Sequence, residues 1–96
     1  MPILQLEHAI KDFEVWKRAF DSDPVQREAS GVRRYKVYRP VDDAHFIAVD
    51  LEFDSTAEAE SFQSALTDLW RSARAAPALG GTPRTRIVES VESREY

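Results

Sequence analysis

The order of its periodic segments constrains the fold of this chain most. Alternating apolar and polar residues over Ile3–Ile10 predict a strand, and apolar residues at helical spacing follow it. Val32–Arg39 and His45–Phe53 also alternate and are separated by the turn segment Pro40–Ala44, which predicts a hairpin. A second helical segment and a final strand, Arg84–Glu92, complete the chain. The predicted order is therefore β-α-β-β-α-β.

This order predicts a ferredoxin-like sandwich, an α+β fold with a four-stranded antiparallel sheet and two helices on one face. The first and third strands are then central, and the second and fourth lie at the edges. The third strand is the most apolar, whereas the edge strands carry bases that discourage strand addition: Arg33, Arg34, Lys36, Arg84 and Arg86. A length of 96 residues suits one domain spanning 1–96.

The first helical region is predicted to have two parts. Asp12 is a suitable N-cap, because its carboxylate can accept from the free amides of the first turn. Asp23-Pro24 predicts a second start, and Gly31 is placed to end that second piece in the left-handed conformation. The apolar face of the first part comprises Phe13, Trp16 and Phe20.

The second helix is predicted from a capping box, with Ser55 at the cap and Glu58 three residues later. Its apolar stripe comprises Phe62, Leu66, Leu69, Trp70 and Ala73. The loop Pro77–Pro83 follows, and its Gly80-Gly81 pair lacks the lysine and helix of a phosphate-binding loop. The segment Ala76–Pro83 is long enough to form a lid or to reach across a dimer.

Composition excludes several classes of function. Thirteen basic and seventeen acidic residues give a net charge of −4, which disfavours partners such as nucleic acid or a membrane surface. The absence of cysteine excludes disulfides, thiolate catalysis and cysteine-ligated metals. Met1–Gln5 lacks the basic residues with which a signal peptide begins, so we expect no signal peptide. No apolar run approaches the ~20 residues that span a bilayer. We therefore expect a cytoplasmic protein.

Two helices can cover only one face of the sheet. The predicted covered face comprises Leu4, Leu6, His8, Tyr35, Val37, Ile47, Val49, Leu51, Phe53 and Ile87. The opposite face mixes apolar groups with acids and bases: Gln5, Glu7, Arg34, Lys36, Tyr38, Phe46, Ala48, Asp50, Glu52, Arg86 and Val88. It is either a solvated face or the interface of a symmetric homodimer, and the need to bury its apolar groups favours the homodimer.

A family resemblance agrees with this fold. The runs His8–Lys17, Phe20-Asp21 and Ser30-Gly31-Val32 resemble the dimeric α/β-barrel superfamily, and the chain is similar to its small cyclase-like and antibiotic-biosynthesis-monooxygenase-like members. The resemblance implies a homodimer whose sheets face each other, with a cavity between sheet and helices in each subunit. It implies neither a metal nor a tightly held organic cofactor.

Haem-degrading relatives in the same superfamily use an asparagine on the first strand, a tryptophan on the second helical region and a histidine at its end. Trp70 matches the tryptophan. No histidine follows it, and the first strand offers Gln5 and His8 instead of asparagine. Haem chemistry is therefore not expected for this chain.

His8 is the best candidate catalytic residue. It shares the parity of Leu4 and Leu6, which places it under the helices, near Trp16 or Tyr35, where it could act as a general base or donate a hydrogen bond to a ligand carbonyl. The alternative is a structural histidine bonded to the backbone at the strand end. His45 could join it in binding a metal, but the hairpin offers no evident third ligand.

Aromatic residues supply the candidate substrate-binding wall. Trp16, Tyr35 and Trp70 would contact a flat ligand between helices and sheet, although helical spacing also explains the tryptophans as core.

Tyr35 and Tyr38 lie among basic residues, and the RNA-recognition motif has this topology. RNA binding is nevertheless disfavoured, because the exposed central positions carry three acids and one aromatic.

Three functions remain open. The first is a cofactor-independent monooxygenase or cyclase-like enzyme acting on a hydrophobic or aromatic molecule. The second is a non-catalytic ligand-binding dimer, and the third is a scaffold dimer with a filled core. A cavity of ~300 Å³ or more lined by His8 and aromatics would support the first two.

Asp50 and Glu52 are either paired carboxylates or, more simply, partners of Arg34, Lys36 or Arg86.

Overall fold

The computed structural model describes residues 1–72 and 80–96. Its elements follow the predicted order: β1 (Pro2–Ala9), α1 (Phe13–Asp21), β2 (Arg34–Tyr38), β3 (Phe46–Glu52), α2 (Thr56–Trp70) and β4 (Arg84–Glu89). The strands form one antiparallel sheet in the order β2-β3-β1-β4. This confirms the predicted ferredoxin-like α+β fold, with β1 and β3 at the centre of the sheet.

The register of the central strands places one apolar face under the helices. Leu4, Leu6 and His8 lie opposite Leu51, Val49 and Ile47 of β3, and burial alternates along both strands. The core is completed by residues from the helices and their flanks: Ile10, Trp16, Val32, Phe53, Ala59, Phe62 and Leu66. The predicted covered face is therefore the buried one at the sheet centre.

Both helices begin at the predicted caps. The Asp12 side chain accepts a hydrogen bond from the Glu14 backbone amide at 2.8 Å. The Ser55 hydroxyl accepts one from the Glu58 amide at 3.2 Å. These side chains satisfy amides that the first helical turn leaves without a partner, which fixes where each helix starts.

The second helical piece predicted over residues 23–31 is wrong. The segment is a series of turns, in which Asp23 and Gln26 have left-handed φ values of 54° and 53°. The Asp23 carboxylate accepts from the Arg27 amide at 2.9 Å, and the Ser30 hydroxyl donates to the Val25 carbonyl at 2.8 Å. Such local side-chain bonds compete with helical ones. Gly31 does adopt a positive φ, 101°, as predicted.

The two helices approach the sheet differently. α2 packs closely on β1 and β4, whereas the backbone of α1 stands further off. Aromatic side chains fill part of the space beneath α1: Trp16 stacks on Phe20 with ring centroids 5.0 Å apart, and Phe13 lies 5.9 Å from Trp16. This spacing leaves room for a cavity between α1, α2 and the sheet.

The outer face of the sheet carries a mixture of half-buried and exposed side chains. Phe46, Ala48 and Asp50 of β3 are half-buried there, and Tyr38 is exposed. In the described part of the chain, the acid–base pairing predicted for this face is found once, between Arg34 and Glu52. Asp50 has no ion-pair partner among the residues that the structure describes.

Some predictions fall outside the described residues. Ala73 of the predicted apolar stripe and the first half of the predicted loop Ala76–Pro83 belong to the segment 73–79, which is not described. In the rest of the chain, no helix is long and apolar enough to cross a membrane.

Candidate functional site

A cavity of about 140 Å³ lies between the helices and the sheet. The sheet contributes Leu6, His8 and Leu51 to its wall. α1, α2 and the turn segment after α1 contribute the others: Trp16, Ala19, Phe20, Ser22, Asp23, Pro24, Val25, Arg27, Phe62, Leu66, Leu69 and Trp70. The cavity is smaller than the ~300 Å³ that drug-sized ligands need. Since a cavity of roughly 150 Å³ can bind benzene, this one suits a single aromatic ring.

His8 is the buried polar side chain of this cavity, with 3% of its surface exposed. It lies near the end of β1, one position beyond the last β1–β4 pair, Glu7 with Arg84. Its ring meets that of Trp70, the final residue of α2, edge to face at a centroid distance of 6.2 Å. The ends of β1 and α2 therefore bring the imidazole and an indole together.

The hydrogen bond of His8 fixes its tautomer. Nδ1 lies 2.8 Å from the carbonyl oxygen of Ala9, and a carbonyl can only accept, so Nδ1 carries the proton. Nε2 is then the basic nitrogen. Burial lowers the pKa of His8 below its ordinary value of 6.5, and the bond to Ala9 offsets part of that effect. The imidazole is therefore neutral at neutral pH and can accept a proton through Nε2.

The lowered pKa of His8 predicts an acid-sensitive fold. Between the lowered pKa and 6.5 the unfolded chain binds more protons than the folded one, so the contribution of His8 to stability is complete above 6.5 and is lost as the pH falls through that window. Urea unfolding on both sides of 6.5 measures this, and a His8→Leu variant should lack this part of the pH dependence. Parallel pH profiles of the two proteins would contradict it.

The structure brings together three of the four predicted site residues. Trp16, which is buried, and Trp70, which is half-buried, line the same cavity as His8. Tyr35 does not line it. Although Tyr35 shares the inner parity of β2, it lies on an edge strand with 45% of its surface exposed, and it packs edge to face on Phe20 at 5.1 Å. Phe20, on which Tyr35 packs, lines the cavity in the place predicted for Tyr35.

Arg27 is a site residue that the sequence analysis missed. It lines the cavity from the turn segment, and its guanidinium carbon lies 4.0 Å from the centroid of the Phe20 ring. Nη1 donates to the carbonyl of Phe20 at 2.7 Å and lies 3.5 Å from the Asp23 carboxylate. The sequence predicted a helix over residues 23–31 and did not place Arg27 near the cavity. The observed turns bring Arg27 back to α1.

The second histidine lies apart from the first. His45 is exposed, and its Nδ1 lies 3.1 Å from the carbonyl of Lys11 in the connection between β1 and α1. In the described part of the chain, histidine, aspartate and glutamate side chains do not gather in groups of three or more that could hold a metal ion.

The Ala9 carbonyl that orients His8 has a second donor. The backbone amide of Gly80 donates to it at 2.9 Å. A Cβ at position 80 would lie only 2.8 Å from the carbonyl carbon and 3.0 Å from the nitrogen of Ile10, so this approach requires glycine. The chain just before β4 is thereby attached to the peptide that sets the His8 tautomer.

The sequence matches no family model and has no significant match among the curated proteins. Solved structures are more informative. A point mutant of SnoaB, a cofactor-independent oxygenase from Streptomyces nogalater, superimposes with a TM-score of 0.74 at 7% identity and covers 96% of this chain and 94% of its own.

Two further structures agree with that match. A monooxygenase from the gene ActVA-Orf6 of Streptomyces coelicolor, in complex with nanaomycin D, gives a TM-score of 0.70 at 13% identity over 99% of this chain and 91% of its own. A dimeric ferredoxin-like protein from an uncultured marine organism gives a TM-score of 0.63 at 17% identity, over 98% of this chain and 92% of its own. The chain therefore has the same ferredoxin-like fold as these three proteins.

Proposed function

We propose that this protein is a homodimeric, cofactor-independent monooxygenase or cyclase-like enzyme acting on a small aromatic molecule. The observation that carries the proposal is a neutral histidine, buried in the wall of a cavity that is otherwise mostly apolar and aromatic. Catalytic bases are commonly side chains whose pKa is shifted within such a cavity. In this proposal His8 is the catalytic base, and Trp16 and Trp70 bind the substrate.

The size of the cavity limits which substrates can fit. About 140 Å³ accommodates one aromatic ring, so the substrate is monocyclic or inserts one ring of a larger molecule. The edge of Trp70 and the stacked pair Trp16–Phe20 supply the aromatic surfaces for that ring.

The chemistry begins with proton transfer to Nε2 of His8. A phenol, or a methylene activated by one, loses its proton and becomes an organic anion that can pass electrons to dioxygen. For a phenol with a hydrogen on the carbon para to its hydroxyl group, the phenol plus dioxygen gives a quinone plus water, so the substrate ring supplies all the electrons. For an activated methylene, the methylene plus dioxygen gives a ketone plus water, so the substrate carbon supplies all the electrons and the proton held by His8 leaves in the water. A base positioned in this way typically contributes about 10²- to 10⁴-fold to a rate.

The homodimer is proposed from the outer face of the sheet. Phe46 and Ala48 are half-buried there and Tyr38 is exposed, beside charges of both signs that could pair across a twofold axis. A structural neighbour described as a dimeric ferredoxin-like protein supports the same assembly. The cytoplasmic location stays a prediction from the sequence.

A non-catalytic ligand-binding dimer is the second candidate. The hydrogen bond from Nδ1 of His8 to Ala9 is the one expected of a structural histidine at a strand end. In this case the cavity holds a ring without transforming it. A cavity of about 140 Å³ is smaller than the ~300 Å³ expected of either function that binds a ligand, and this small size favours the third function, a scaffold dimer with a filled core.

A ligand screen by thermal shift tests the site. We expect phenols to raise the Tm of the wild type more than their methyl ethers, because only a phenol can donate to Nε2. One hydrogen bond should make this preference about 2- to 10-fold in Kd. His8→Phe, which keeps a ring in place, and His8→Ala should both lose it. His45→Ala, which changes an exposed histidine outside the cavity, is the matched control.

Oxygen uptake then separates the monooxygenase from the binder. With a bound phenol whose para carbon carries a hydrogen, the monooxygenase consumes dioxygen in the wild type and in His45→Ala but not in His8→Phe, whereas the binder consumes none in any variant. Equal ligand responses in the wild type and both His8 variants would remove His8 from the site.

A further inference from the structure

We propose that Arg27 binds an acidic group on the ligand, so that the substrate class is monocyclic aromatic acids that also carry a hydroxyl group. This proposal rests on the proposed function, because it takes the cavity of His8 as the binding site. Arg27 and His8 both line that cavity: Arg27 belongs to the turn segment after α1, and His8 to the sheet. A ligand in the cavity would meet an acceptor, Nε2, on one wall and a cation on another.

The guanidinium of Arg27 is already held in place. Only 17% of its side chain is exposed, and its guanidinium carbon lies 4.0 Å from the centroid of the Phe20 ring and 5.2 Å from that of Tyr35. Nη1 donates to the carbonyl of Phe20 at 2.7 Å. A cation fixed in this way loses little side-chain entropy when it binds an anion.

The guanidinium retains hydrogen-bonding capacity for a carboxylate. It has five N–H donors, and among the described residues the Phe20 carbonyl takes one of them. Its contact with the Asp23 carboxylate is long, at 3.5 Å, and that same carboxylate oxygen accepts the Arg27 backbone amide at 2.9 Å. Arginine commonly binds carboxylates through two parallel N–H bonds, which this geometry leaves available.

The sign of the preferred ligand follows from burial. Asp23 and Arg27 are the formal charges that line the described wall of the cavity, and the Asp23 side chain is 41% exposed, so water screens it more than it screens Arg27. An anion beside Arg27 therefore gains more than a cation beside Asp23. Neutral His8 adds no charge that would repel a cation or attract an anion.

The test titrates intrinsic tryptophan fluorescence, because Trp16 and Trp70 both line the cavity. The probes are 4-hydroxybenzoate and the uncharged 4-hydroxybenzamide. We expect the wild type to bind the acid about 10- to 100-fold more tightly than the amide, as is typical of a charge-assisted bond. Arg27→Gln should abolish this preference, and Arg27→Lys should keep part of it.

Arg18→Gln is the matched control, because it removes the same charge from an exposed position on α1 that does not line the cavity. It should keep the preference for the acid. If Arg27→Gln does not fold, Arg27→Lys decides, because it keeps the charge and loses the paired N–H bonds: its preference for the acid must be weaker than that of the wild type and of Arg18→Gln.

Equal binding of acid and amide by the wild type, or a preference that survives in Arg27→Gln, would overturn the role of Arg27. The proposed function would stand in either case if phenols still distinguish the wild type from His8→Phe. Binding of neither probe, together with no response to any phenol, would instead overturn the proposed function itself.

Discussion

Ala48→Lys is expected to convert the proposed dimer to a monomer at micromolar concentration. Ala48 lies on central strand β3, with its side chain on the outer face, between Glu7 of β1 and Tyr38 of β2. Stacking two sheets would bury this position, and a twofold axis would bring in a second lysine. Excess volume and a buried charge should weaken dimerisation by about 100-fold or more.

The same substitution should leave the monomer folded. In a single sheet, a lysine at position 48 faces solvent and lies directly opposite Glu7, an opposite charge that favours the pair across strands. Sedimentation velocity gives the oligomeric state, and circular dichroism verifies the fold. The loss of dimer can then be assigned to the interface.

Ala29→Lys is the matched control, since Ala29 is exposed in the turn segment and belongs to no strand. It should sediment like the wild type. A wild type that sediments as a single subunit would contradict the homodimer, and an Ala48→Lys protein that stays dimeric would place the interface elsewhere on the molecule.

Gly80→Ala is expected to destabilise the fold by about 1–3 kcal/mol, the usual cost of forcing extra atoms into a packed site. The added Cβ would lie 2.8–3.1 Å from backbone atoms of Ala9 and Ile10, which cannot rotate away as a flexible side chain would. Relief requires the Gly80 amide to move off the Ala9 carbonyl or the end of β1 to shift. The midpoint of urea unfolding measures the loss.

Gly81→Ala is the control for this substitution, because a Cβ at position 81 meets only the Ala9 side chain, at an ordinary 3.5 Å. It should be neutral or slightly stabilising. The ¹⁵N chemical shifts of His8 add a readout of tautomer: Gly80→Ala should mix the two neutral forms, whereas Gly81→Ala should not. Equal stability and equal shifts in both variants would contradict the role of Gly80.

Much of the fold could be predicted from the sequence, because its signals are local and periodic. Alternation along β1 and β3 identified the inner face, and with it the burial of His8, before any contact was known. Asp12 and Ser55 marked the helix starts, since a cap needs only its own side chain and the next amides. Strand order followed from the handedness of crossovers.

The rest of the site depends on contacts between distant parts of the chain. Asp23-Pro24 predicted a helix, but left-handed φ values at Asp23 and Gln26 turn the chain so that Arg27 reaches Phe20. Parity placed Tyr35 on the inner face and said nothing of its distance from the cavity, which its place on an edge strand decides. The turns have no local signal in the sequence, whereas the edge position of β2 was predicted and its consequence for Tyr35 was not drawn.

The distance of α1 from the sheet has a consequence for how this protein could diversify. The proposed base is carried by a central strand, while the space for a ligand is set by the aromatic rings with which α1 bridges the gap. Exchanging those rings for larger or smaller side chains would resize the binding site without disturbing any strand pairing. In the proposed function, the reaction and the selectivity are therefore carried by separate elements, and related proteins could change one while inheriting the other.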